Sequence, residues 1–205
     1  MQAKEHWEHL YGTKAADAVS WYAPHLAESL SYIHRTGLPR SAAVCDVGGG
    51  EATLVDDLLD EGYTDISVLD LSDTALAFCR RRLGERARRV KWIVADVLEH
   101  RFRARSVDVW HDRAVFHFLA DRAQRSAYVA KVLHALRPGG YAIVGAFGPQ
   151  GPTECSGLPV ARYGASDLHG EFGPRFLLLE SHTSIHTTPR GVAQQFVYCF
   201  CRLEH

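Results

Sequence analysis

Two hydrophobic periods alternate along this chain. Short apolar-rich runs at 42–47, 66–70, 90–95, 106–111 and 140–147 predict strands. Between them, apolar residues recur at helical spacing over 51–61, 73–84 and 121–136, with a short helical piece near 114–119. Ser72 and Asp121 precede two of these helices and suit their N-caps, and Pro138-Gly139-Gly140 stops the longest one before the fifth strand. Strands alternating with helices predict a parallel sheet covered on both faces. The pattern changes at 148–174, which is rich in Gly and Pro with a short helix near Ser166–Glu171. Two long strands follow, 176–187 and 192–202, joined by Thr188-Pro189-Arg190-Gly191. They predict an antiparallel hairpin at the C-terminal end of the sheet.

The first 22 residues carry Trp7, Tyr11, Trp21 and Tyr22, and Pro24 opens a helix through about Thr36 that Gly37 ends. We expect residues 1–39 to form a helical lid on a single domain spanning 1–202, with Leu203-Glu204-His205 as a tag remnant. The 205 residues suffice for one substantial core. No apolar stretch reaches the about 18 residues of a membrane span, and the charged, aromatic N-terminus does not read as a signal peptide. Five cysteines, none in a C-x-x-C pair, suit reduced thiols in a cytoplasmic protein. The net charge of −1 argues against a general nucleic-acid partner. The one basic cluster, Arg80 to Arg82 with Arg86, Arg88 and Arg89, reads as a solvated helix end favoured by the helix dipole.

The most specific chemistry lies in Val44-Cys45-Asp46-Val47-Gly48-Gly49-Gly50-Glu51. A strand that stops at a glycine turn and feeds a helix points backbone N–H groups at a ligand, and glycine permits close approach. Twenty residues past Gly50, Val68-Leu69-Asp70 is a second apolar run ending in an acid placed to accept ribose hydroxyls. Dinucleotide binders require a third glycine where Thr53 stands, which disfavours a nicotinamide oxidoreductase. Asp46 inside the loop would repel a pyrophosphate and attract an ammonium.

Asp46-Val47-Gly48-Gly49-Gly50, Asp70-Leu71, Ala95-Asp96-Val97 and Leu136-Arg137-Pro138-Gly139-Gly140 occur in an order that resembles the class I S-adenosylmethionine-dependent methyltransferases. The resemblance covers about residues 40 to 147 firmly, with Ala52 where many members have a third glycine. It implies a Rossmann-like α/β fold with a doubly wound, seven-stranded, mostly parallel sheet, and S-adenosyl-L-methionine as cofactor. It also implies that Asp46, Gly48 and Gly50 hold the methionine part, that Asp70 with Leu71 holds the ribose, and that Asp96 and Val97 border the adenine. The stretch Trp110-His111-Asp112-Arg113-Ala114 is similar to the W-D-R-G segment of thiopurine methyltransferase-like enzymes, with His111 and Ala114 as departures.

Strand ends face the ligand crevice in such a sheet, which puts His111, Asp112 and Arg113 near the cofactor. Asp112 suits cofactor ammonium binding or proton transfer, or else a structural cap, and His117 is a candidate general base or a packed core residue. Val19-Ser20-Trp21-Tyr22 resembles a segment of small methyltransferases that include protein-lysine enzymes; Trp21 could lie against a sulfonium. Arg162 and Tyr163, in the 148–174 insertion, are candidates for acceptor recognition. The histidine pairs His6/His9 and His182/His186 lack metal-ligand context, so no metal is expected. The favoured function is methyl transfer to a small molecule. The alternatives are a protein lysine acceptor and a non-catalytic cofactor-binding regulator.

Overall fold

The computed structural model of the chain describes residues 2–204. Strands β1 (Ala43–Val47), β2 (Asp65–Asp70), β3 (Val90–Val94), β4 (Val107–Arg113) and β5 (Leu136–Phe147) pair in parallel. A small hairpin, β6 (Glu154–Cys155) with β7 (Leu158–Pro159), stands apart. The last two strands, β8 (Phe176–Thr187) and β9 (Ala193–Leu203), form an antiparallel pair, and β9 also runs antiparallel to β5. The seven-stranded sheet has the order β3-β2-β1-β4-β5-β9-β8, which is the expected Rossmann-like arrangement. Strand order reverses between β1 and β4, so the carboxyl ends of these two strands flank a crevice.

Among the described residues six α-helices accompany the sheet: α1 (Gln2–Thr13), α2 (Ala27–Arg35), α3 (Leu54–Asp60), α4 (Asp73–Leu83), α5 (Arg122–Ala135) and α6 (Ala165–Phe172). Side chains alternate between two cores, as strand pleat requires. Val44, Val109 and Ile143 face one side and pack with Tyr32 and Ile33 of α2, Leu54 and Leu58 of α3, and Leu76 of α4. Cys45, Trp110, Ala142 and Val144 face the other and pack with Tyr128 and Val132 of α5 and Leu168 and Phe172 of α6. Strands buried on both faces explain why the sequence shows apolar runs rather than clean alternation.

Some boundaries differ from the sequence expectation. The helix expected from residue 51 begins at Leu54, because the glycine turn continues through Glu51 to Thr53. The helix expected from Pro24 begins at Ala27. Leu203, expected in a tag, ends β9, pairs with Phe176 and is buried; His205 lies outside the described residues. The five cysteines are free thiols and all are buried. Among the described residues no helix is long and apolar enough to cross a membrane.

Candidate active site

A cavity of about 340 Å³ opens at the carboxyl ends of β1, β2, β3 and β4. Its cradle starts at the glycine turn. The N–H groups of Gly48 and Gly49 donate to the Leu69 carbonyl at 2.7 and 3.2 Å, which pulls the turn onto β2. Gly48 has φ +67°, and a Cβ there would stand 1.9 Å from a Val115 methyl, so both backbone and space require glycine. The N–H of Gly50 donates to Asp70 Oδ2 at 2.9 Å, and the N–H of Ser72 donates to Oδ1 at 2.8 Å. Backbone donors thus fix the Asp70 carboxylate in the wall of the cavity. Burial pushes its pKa up to about 6, against the lowering effect of these hydrogen bonds. Leu71, Ala95, Val97 and Leu98 form an apolar slot beside it. Asp96 sits exposed at the rim and accepts from the N–H of Leu98 at 2.8 Å.

The exit of β4 divides the expected site residues. Asp46 and His111 are adjacent in register and buried, and His111 Nδ1 lies 2.7 Å from Asp46 Oδ1. Asp112 is fully buried and accepts from the Tyr128 hydroxyl and from the N–H groups of Val115 and Phe116 at 2.9 and 3.1 Å. Trp110 Nε1 donates in turn to the Tyr128 hydroxyl at 2.8 Å, completing a buried chain. His117 is also fully buried and stacks on Phe147. Burial, reinforced by the Arg113 charge, pulls its pKa down to about 3. The cavity is lined by Gly48, Asp70, Leu71, Asp96, Val97, Trp21 and Arg113, whereas Asp46, Gly50, His111, Asp112 and His117 lie behind its wall. Ala114 has φ +71°, the left-handed conformation a glycine would take at that point. That turn sends Arg113, Ala114 and Val115 into the cavity wall.

The N-terminal segment roofs the cavity. Ala3, Trp7 and Tyr11 of α1 and Trp21 line it, and the Trp7 and Trp21 rings meet edge to face at 5.9 Å. A Cβ on Gly50 would stand 2.6 Å from the Tyr11 hydroxyl, so the roof rests on the glycine turn. One carboxylate fastens α1 to the start of α4. Glu8 accepts from the N–H of Asp73 at 2.8 Å, the N–H of Thr74 at 3.1 Å and the hydroxyl of Ser72 at 2.9 Å. These are the first residues of α4, where a carboxylate suits the orphan N–H groups and the positive end of the helix dipole. Partial burial works to raise the Glu8 pKa, but the hydrogen bonds outweigh it and hold it down at about 2. The attachment is therefore complete above the ordinary glutamate range and is lost only as pH falls through about 2. Glu8→Ala should expose α1 to protease cleavage several-fold faster at neutral pH while α4 stays folded. Unchanged cleavage would show that the apolar contacts alone seat the roof.

The β6–β7 hairpin supplies a further wall through Cys155, Leu158 and Pro159, with Phe118, Leu119 and Gln124 nearby. The insertion thus reaches the cavity, but not through the residues the sequence suggested. Arg162 donates to the Pro149 carbonyl at 2.9 Å, and Tyr163 packs under Phe116 away from the cavity. Sequence reasoning also missed Glu8 and Phe118 as site residues. Glu8 gives no local signal, since its partners are 64 to 66 positions away. In the basic cluster, Arg82 and Arg86 pair with Asp56 and Asp60 of α3 at 2.6 Å each, and Arg80 pairs with Asp73.

The family model for a methyltransferase domain matches residues 44–140. Among curated proteins, the eEF1A lysine and N-terminal methyltransferase of Bos taurus is 28% identical over 109 residues, covering 53% of this chain and 15% of the relative. Its Danio rerio counterpart is 26% identical over 140 residues, covering 66% and 20%. The chain thus spans a fifth or less of the length of these relatives. Among solved structures, one from work on the conversion of a disulfide to a thioacetal in echinomycin biosynthesis superposes with TM-score 0.78 at 20% identity, covering 98% of this chain and 91% of that one. The N-methyltransferase NodS of Bradyrhizobium japonicum, in complex with S-adenosylhomocysteine, gives 0.71 at 14% identity, covering 98% and 100%. At these identities the likeness is one of fold. Residues 44–140 thus match a methyltransferase domain, and the fold is the one shared by S-adenosylmethionine-dependent methyltransferases of known structure.

Proposed function

We propose that this protein transfers a methyl group from S-adenosyl-L-methionine to a small-molecule acceptor held beneath the N-terminal roof. The observation that carries the reading is the covered cavity, whose 340 Å³ is at the small end of ligand sites. The residues fit the cofactor. Asp70 offers a fixed carboxylate to a ribose diol, Leu71 and Val97 offer an apolar slot to an adenine, and Asp96 stands at the rim for its amine. Gly48 and Gly50 keep the turn free of side chains. In this reading Asp46, oriented by His111, acts from behind the turn as a fixed negative charge favouring a cationic ligand. When bound, the cofactor supplies an activated methyl on a sulfonium. The chain's part is to hold acceptor and methyl in line and to exclude water, with Trp7, Trp21 and Phe118 as the excluding surface.

A protein lysine acceptor is the second reading, and the names of the curated relatives favour it. Against it stand the roof, which leaves little room for a peptide, and the positive charge of Arg113 on the wall, which disfavours an ammonium. Isotope-labelled methyl transfer from S-adenosylmethionine should label a metabolite pool and leave peptide and protein pools unlabelled. Labelling confined to the protein pool would reverse the order of the two readings.

A further inference from the structure

One wall of the cavity carries a nucleophile that the reading above does not use. Among the described residues that line it, Cys155 is the only thiol, and no serine, threonine, lysine or histidine joins it. The chain places this thiol with care. Ser156 and Gly157 form a two-residue turn with φ +53° and +76°, both left-handed, which closes β6 tightly on β7. A non-glycine residue held at such a φ marks a turn fixed by its surroundings. Cys155 pairs with Leu158 across the turn, so the two side chains share a face, and both line the cavity. The other four cysteines line no part of it: Cys45, Cys199 and Cys201 lie in the sheet, and the Cys79 thiol donates to the Gly50 carbonyl at 3.2 Å.

The groups around the sulfur suit a thiolate. Burial raises the Cys155 pKa, while the Ser156 and Ser20 hydroxyls and the Lys14 and Arg113 charges all act in the opposite direction. A second side chain points to a ligand here. Tyr11 lines the same cavity, is 9% exposed, and its hydroxyl makes no hydrogen bond among the described residues. A buried donor left unpaired in a cavity wall is one that a ligand satisfies. The charges of both Asp70 and Cys155 act on Tyr11, so its hydroxyl stands within reach of each. From this placement, and resting on the methyltransferase reading above, we propose that the chain methylates its own Cys155 when no external acceptor fills the cavity. A sulfonium methyl is a soft electrophile, and a thiolate is the soft nucleophile that matches it. The thiol gives its proton to water. The sulfur lone pair forms the new S–CH₃ bond as the bond from methyl to cofactor sulfur breaks, and that bonding pair stays on the cofactor sulfur. The products are S-methylcysteine and S-adenosylhomocysteine. The thioether has no proton to lose and is a poor nucleophile, so each chain reacts once. The added methyl also narrows the space that the β6–β7 wall leaves for an acceptor.

The test uses the purified full chain with no acceptor present, so the label falls on the chain itself and not on proteins offered to it. Incubation with methyl-labelled S-adenosylmethionine should add one methyl per chain. Peptide mapping of the wild type should place it on Cys155, about tenfold or more over any other cysteine. Excess S-adenosylhomocysteine should suppress the labelling, because the donor must sit in the cavity. Cys155→Ala should abolish it, with S-adenosylhomocysteine binding by calorimetry as the check that the variant is folded. Independently of transfer, bound S-adenosylhomocysteine should slow alkylation of Cys155 by iodoacetamide about tenfold. A wild type that binds S-adenosylhomocysteine and yet stays unlabelled overturns the proposal without needing any variant. So does a methyl mapped to another residue, or labelling that excess S-adenosylhomocysteine leaves unchanged, since free donor would then be the alkylating agent. Alkylation by iodoacetamide at the same rate with and without S-adenosylhomocysteine would overturn it as well, by removing the thiol from the cofactor's cavity. Failure of the wild type to bind S-adenosylhomocysteine at all would instead remove the methyltransferase reading beneath it.

Discussion

Asp70→Ala is expected to weaken S-adenosylhomocysteine binding about 10- to 100-fold, with the fold intact. The carboxylate is fixed by the N–H groups of Gly50 and Ser72 and lies in the cavity wall, so a ribose diol would meet a pre-aimed, charged acceptor. Hydrogen bonds to charged groups contribute about 1.5–3 kcal/mol, which sets the range. Acid should have the same effect as the substitution. Burial raises the Asp70 pKa to about 6 in the ligand-free protein, and diol donors favour the ionised form. Affinity should therefore fall as pH is lowered from 7.5 to 5 in the wild type, and stay flat in Asp70→Ala. Titration calorimetry at the two pH values checks both. An unchanged affinity in the folded variant would remove Asp70 from the ribose contact.

Asp112→Ala should cost the fold rather than the chemistry, by on the order of 3–5 kcal/mol in urea denaturation. The substitution strands the Tyr128 hydroxyl and the N–H groups of Val115 and Phe116 in the core. Burial lifts the Asp112 pKa to about 6, although its hydrogen bonds work against the rise. A carboxyl raised above its unfolded value adds stability that is fully present below that unfolded value, near 4, and is lost as pH rises through about 6. Asp70 has the same sign. The stability lost on Asp112→Asn should therefore be larger at pH 5 than at pH 7.5, a difference between two proteins from which the opposing contribution of the buried His117 cancels. If Asp112→Ala instead lost less than about 1 kcal/mol while turnover fell a hundredfold, a proton-handling role would be restored to this residue.

These two aspartates mark how far the residues could be read in order along the chain. The strands, helices and late hairpin follow from periodicity, because each needs only neighbours within a few positions. The cradle was legible for a related reason: Gly48, Gly50 and Asp70 are brought together by a single strand–turn–helix–strand unit. At the end of β4 the reading runs out. Four consecutive residues, Trp110 to Arg113, alternate between faces, and pleat phase decides which of them meets the cavity. The polar character of His111 and Asp112 suggested chemistry, yet both point into a core that contains their partners. Those partners, Asp46 and Tyr128, come from other elements. The wall contributed by Cys155, Leu158 and Pro159 was hidden for a different reason. Its position depends on a two-residue hairpin without regular pattern, whereas the more conspicuous Arg162 and Tyr163 are held by the insertion's own backbone and by Phe116.

The attachment of α1 through Glu8 has a kinetic meaning. Ser72 donates its N–H to Asp70 and its hydroxyl to Glu8, so the Asp70 wall of the cavity and its cover share one residue. The cover also forms part of the cavity's ceiling through Trp7 and Trp21. On the function proposed above, release of spent cofactor and product would require an opening that breaks the three Glu8 contacts and unseats Tyr11 from the glycine turn. Lids of this kind move in microseconds to milliseconds and commonly set the ceiling on turnover. The first methylation after mixing should accordingly outrun the later ones, with the helix's return to solution, not bond exchange at carbon, acting as the clock of the cycle.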